Sequence, residues 1–116
     1  MLHTTAKLTF AHQVDLGKHG PSAGHLTTFG GRLVGPDLKG IYQADCINVT
    51  ATTQECTESL TVPGCHIAAQ ASYGEASTAL TPIVGGSGSY VGARGDMSER
   101  EVNNGREVQL VLRLNR

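Results

Sequence analysis

The chain has 116 residues, enough for one compact domain and too few for a second core of useful depth. A formal net charge of -1 with only 16% charged residues excludes a basic nucleic-acid face, and 39% apolar residues exclude a disordered tail. The 15 glycines, the absence of tryptophan and the recurring threonine and valine suit short strands and turns rather than long helices.

Leu2, Thr4, Ala6, Leu8, Phe10, His12 and Val14 alternate with polar residues at period two, which predicts a long first strand with one apolar face. Glycines, Pro21 and Ser22 make Leu16–Gly24 a loop placed to cover a barrel mouth. A second strand is expected over His25–Val34, a turn at Gly35-Pro36-Asp37, a third strand over Gly40–Thr52 and a fourth over Glu55–Val62. Val62-Pro63-Gly64-Cys65 has Pro and Gly at the middle positions of a type II turn, so the fourth strand and a fifth over Cys65–Tyr73 form a hairpin.

A short sixth strand fits Thr78–Val84, and Gly85-Gly86-Ser87-Gly88 reads as a tight turn into a seventh strand over Ser89–Glu101. Asn103-Asn104-Gly105 is a hairpin signal. It leads to a last strand with Val108, Leu110, Leu112 and Leu114 on one face and Glu107, Gln109 and Arg113 on the other. Eight consecutive strands on short links predict one all-β domain over residues 1–116, an antiparallel up-and-down barrel whose closure removes exposed sheet edges. Small inward residues and only five aromatic rings predict interior room for one small ligand.

Cys46, Cys56 and Cys65 have neither zinc-knuckle nor thioredoxin spacing and read as buried thiols of a reducing compartment. The first residues, Met1–Lys7, show no basic segment followed by a long apolar run, so the expectation is a cytoplasmic protein without leader or membrane anchor.

Two stretches carry a family resemblance. Gly24-His25-Leu26-Thr27-Thr28-Phe29-Gly30-Gly31-Arg32-Leu33 resembles the second-strand region of plant allene oxide cyclases. Leu80 to Gly95, with Gly85-Gly86-Ser87-Gly88, Tyr90 and the closing Gly92 and Gly95, is similar both to that family and to dirigent proteins. The resemblance spans roughly Gly24 to Leu114 and implies a barrel of the allene oxide cyclase type. Thr9–Val14 lacks the carboxylate that the plant cyclases carry near the first strand, and Gly31 stands where their second-strand asparagine is sought. The resemblance therefore points to small bacterial cyclases of spirotetronate and spirotetramate pathways, which fold a polyene and promote an intramolecular [4+2] cycloaddition.

Such a reaction needs neither metal nor cofactor, because the gain comes from holding diene and dienophile together in a dry cavity. Phe10, Phe29, Tyr73, Tyr90 and Met97 are the candidate walls for a hydrophobic small molecule. Tyr42, Gln43, Glu58 and Gln70 are candidates to hydrogen-bond or protonate it, with Asp45 and His66 as further acid or base groups. An isomerase, an epoxide-opening cyclase, and a lipocalin-like or dirigent-like binder are the alternatives. The expected partners are this small molecule and further copies of the chain, as a dimer or trimer, because Ile41, Ile47 and Val49 make the outer face of the third strand apolar too. No nucleic acid and no membrane are expected.

Overall fold

Period-two alternation becomes eight strands in a computed structural model that describes residues 1–14, 24–73 and 80–115. The strands are β1 (Leu2–Val14), β2 (Leu26–Pro36), β3 (Lys39–Asn48), β4 (Gln54–Val62), β5 (Cys65–Tyr73), β6 (Thr81–Ser87), β7 (Arg94–Val102) and β8 (Glu107–Asn115). Each pairs antiparallel with the next, and β8 returns to β1, giving a closed eight-stranded barrel. The loop expected over Leu16–Gly24, apart from Gly24, and the first residues of the expected sixth strand lie outside the described residues.

Register decides which side chains face inward. Leu2, Thr4 and Ala6 pair with Leu112, Leu110 and Val108, so the aliphatic face of β8 and the first half of β1 share the interior. Leu60, Ile67, Met97 and Leu112 are fully buried there with Leu33 and Ile83, each contributing about 1.5–3 kcal/mol through removal from water. One end is tied shut by polar contacts. Buried Thr4 donates through Oγ1 to the Leu38 carbonyl at 2.8 Å, and Asp37 Oδ2 accepts the His3 amide at 2.7 Å.

Curvature requires glycine at two close approaches. A Cβ on Gly31 would stand 1.8 Å from the Lys7 carbonyl oxygen, and one on Gly95, at φ +146°, would stand 1.9 Å from the Arg113 carbonyl oxygen. Asn103, Asn104 and Gly105 take positive φ values of 54°, 58° and 79°, as a tight β7–β8 hairpin demands.

Three expectations are corrected. Gly85, Gly86 and Ser87 belong to β6, and the reversal falls on a 3-10 turn at Gly88–Tyr90, so Tyr90 precedes β7 rather than starting it. The strong turn potential of glycine is used here for curvature: a Cβ on Gly86 would meet the Tyr90 carbonyl oxygen at 2.5 Å. On β1, alternation carries Phe10 onto the face of Leu8, but a bulge between these residues reverses the facing. Phe10 then pairs with Gly30 and lies against it, on the side of exposed Arg32 and Val34. Finally, Cys46 and Cys56 are not free thiols. They stand opposite each other across β3 and β4, with Cα atoms 4.1 Å apart, and form a disulfide; Cys65 is the free cysteine.

Among the described residues no helix is long and apolar enough to cross a membrane.

The disulfide closes a short loop, so replacing both cysteines by alanine is expected to lower stability by about 3 kcal/mol in urea unfolding. Alkylation of the unfolded, unreduced chain should label Cys65 alone, and prior reduction should expose Cys46 and Cys56 as well.

Candidate active site in the barrel wall

β3 and β4 set the first two groups. Tyr42, Ala44 and Cys46 share the inward face of β3, and Cys56, Glu58 and Leu60 that of β4. Glu58 pairs laterally with Ala44 and Ala69, two small residues that leave space for a carboxyl. It is 3% exposed. A carboxyl so placed needs hydrogen bonds, and Tyr42, itself buried, donates its phenol proton to Glu58 Oε1 at 2.5 Å. Nothing on β3, β4 or β5 donates to its other oxygen, Oε2.

The third group comes from β7. Met97, Glu99 and Glu101 pair with Leu112, Leu110 and Val108, which puts all three on the inward face. Solvent reaches Glu99 at the barrel mouth, yet enough protein surrounds its carboxyl to penalise the ion. Burial, then its hydrogen-bonding contact with Glu58, then the negative charges of Glu58 and Glu101 push its pKa up to about 9. Beside the negative charges of Glu58 and Glu101, the site keeps the Glu99 proton at neutral pH. It combines a proton donor with an acceptor fixed by a phenol.

The candidate side chains separate into distinct places. Tyr42 and Glu58 come together, and Phe29 joins them with its ring centroid 6.1 Å from that of Tyr42. Met97 is fully buried, two residues before Glu99 on the same face. Gln43 and Gln70 are exposed and lie on the opposite faces of β3 and β5 from Tyr42 and Ala69. Asp45 and His66 are exposed as well, with His66 Nδ1 3.3 Å from Thr61 Oγ1. Phe10 stacks on His12 at 6.0 Å on the outer wall. Tyr90 lies at the other end, beside a depression of about 370 Å³ shared with Leu38, Val62 and Cys65. Tyr73 ends β5 opposite Gln54, and its side chain lies outside the described residues.

Glu99 and Glu101 were not among the sequence candidates. Parity places both on the strand face of Met97, and the register against Leu110 and Val108 of β8 makes that face the inward one.

Fold and site define a closed antiparallel barrel that carries an acid pair on its inner wall. A solved structure titled pyocyanin demethylase is similar to it, with a TM-score of 0.79 at 20% sequence identity over 98% of this chain and 100% of that one. At that identity the likeness shows the fold. No family model and no curated protein matches the chain.

Glu99 gives the fold a pH dependence of definite sign. Below its ordinary value of 4.5 the group is protonated in both states. From there to about 9 the unfolded chain loses a proton that the folded chain keeps, so stability falls as pH rises. Glu99→Gln removes this loss. Urea unfolding should show the variant gaining on the parent between about pH 5 and about pH 8.5, with little difference at the acid end.

Proposed function

We propose that the protein is a cofactor-free enzyme that rearranges a small, conjugated, largely apolar molecule at the barrel mouth, with Glu99 as general acid. The observation that carries this reading is the acid pair: Glu58 is buried and held by Tyr42, and Glu99 beside it retains a proton. A carbonyl oxygen or nitrogen of the substrate takes the Glu99 proton or a hydrogen bond from it, while Glu58 accepts a proton from a neighbouring atom. Proton donation and removal in one site move a double bond or open a ring without a change of composition.

The [4+2] cyclisation implied by the resemblance to the bacterial cyclases uses the same groups differently. Glu99 then polarises the dienophile carbonyl, and the aromatic faces of Phe29 and Tyr42 hold the chain folded. Both reactions give products of unchanged mass, and the small inner side chains Ala44 and Ala69 favour a ligand over a filled interior at this level. The disulfide favours an oxidising compartment over the cytoplasm. Ile41 and Ile47 on the outer side of β3, and Val49 just beyond its end, each about half exposed, are the surface through which copies of the chain associate.

The test is a comparison, by liquid chromatography and mass spectrometry, of producing cells with and without the gene, followed by assay of the purified protein on the metabolite that accumulates. The expected result is an isomer of identical mass converted by the protein. Glu99→Gln and Glu58→Gln should each slow a proton-transfer reaction by roughly a hundredfold or more, whereas a cycloaddition should retain most of its rate. Conversion with loss of mass, or unchanged isomer ratios at lower yield, would overturn the reading in favour of a different reaction or of a carrier.

A further inference from the structure

The inner wall at the mouth holds an imbalance of charge. Glu58, Glu99 and Glu101 face one another from β4 and β7, and the other titratable group at their side is the Tyr42 phenol from β3. His25, which precedes β2, is buried at the same end, and no cation is among the groups that act on Glu99. Lysines and arginines of the described residues are all exposed. The inward residues of β8 opposite Glu99 and Glu101 are Leu110 and Val108, and β1 supplies Ala6. Glu58 therefore presents a buried Oε2 whose contact is the Glu99 carboxyl, on a wall that among the described residues carries further carboxyls and no lysine or arginine.

An oxygen in that position is costly unless something donates to it, and once Glu99 gives up its proton a donor must come from the ligand. Among the described residues no three His, Cys, Asp or Glu side chains converge as metal ligands. The rings of Phe29 and Tyr42 at 6.1 Å supply faces that attract delocalised positive charge.

We propose that the substrate completes this site with a basic sp2 nitrogen, as in an imine, amidine or nitrogen heterocycle, held as its cation by Glu58 and Glu99. This rests on the acid-catalysis reading and narrows it. A neutral nitrogen base takes the proton from Glu99: the N–H bond forms, the carboxyl O–H bond breaks, and the electron pair stays on the Glu99 oxygen. The product is a cation between two carboxylates, one of which is already oriented by Tyr42. A ligand that arrives permanently charged gives the same arrangement but sends the Glu99 proton to solvent.

That difference makes the proposal measurable with a matched pair of probes. Benzamidinium and benzamide have nearly the same shape, and only the first is a cation. Isothermal titration calorimetry of the full chain at about pH 7.5, in two buffers of different ionisation enthalpy, should show benzamidinium binding at least about tenfold more tightly, with release of close to one proton. Glu58→Gln should abolish the preference, and Glu99→Gln should abolish the proton release, with thermal melts confirming that both fold. Should Glu58→Gln fail to fold, the proton release in the parent and its loss in Glu99→Gln decide the matter.

Equal affinity for the two probes, no binding of either, or a cation preference that survives Glu58→Gln would overturn the proposal. Equal affinities together with loss of turnover in Glu99→Gln would remove the nitrogen and leave acid catalysis standing. Cation-selective binding with no change in metabolite isomers would do the reverse.

Discussion

The hydrogen-bonded return of β8 to β1 is the constraint from which the site follows. Closure makes an inside and an outside, so the period-two alternation of every strand becomes a division between core and solvent. It also brings β7 across from β4, two strands that an open meander would hold apart. Glu58 and Glu99, 41 positions apart in sequence, become neighbours only because the sheet curls on itself. One end of the resulting tube is packed with Leu33, Leu38, Val62 and Leu112, and polar ties from Thr4 and Asp37 cover it. The carboxyls collect toward the other end.

The disulfide belongs to the same arrangement. Cys56 is one inward step from Glu58 on β4, and Cys46 lies two inward steps from Tyr42 on β3. Locking these strands at this level fixes the register that lets the Tyr42 phenol meet Glu58 Oε1. A slip by one residue would turn Glu58 out of the barrel and bring Thr57 or Ser59 into its place. Tyr42 and the disulfide thus hold Glu58 by different means, one through a hydrogen bond and one through the backbone.

Much of the fold was legible because it rests on local rules. The Pro63-Gly64 reversal, the Asn103-Asn104-Gly105 hairpin and the aliphatic stripe of β8 are turn chemistry and alternation, and each falls where the sequence puts it. Features decided by long-range register were harder to read. Nothing local marks the bulge that turns Phe10 outward, and Cys46 and Cys56 become a pair only once the β3–β4 register is known. The site divides in the same way. Tyr42, Gln43, Glu58 and Gln70 were candidates alike by residue type, and only the register separates inward Tyr42 and Glu58 from Gln43 and Gln70 on the opposite parity. Glu99 and Glu101 sit in a run of charged residues, Glu99-Arg100-Glu101, whose composition suggests a solvated face. Only their partners on β8, Leu110 and Val108, reveal that the two glutamates look inward.

The placement of Glu99 is difficult to account for as architecture. The fold would be served by an aliphatic side chain opposite Leu110, continuing the layer formed by Met97 and Leu112, and such a residue would remove the loss of stability with rising pH that the raised carboxyl imposes. Glu58 and Tyr42 together could likewise be replaced by apolar residues beside Ala44 and Ala69, which would remove a buried carboxyl and the phenol that donates to it. A barrel that keeps both acids, and uses a buried phenol to orient one of them, holds a carboxyl pair at the expense of its own stability. Natural proteins break local rules of this kind chiefly where a ligand or a reaction supplies the compensation.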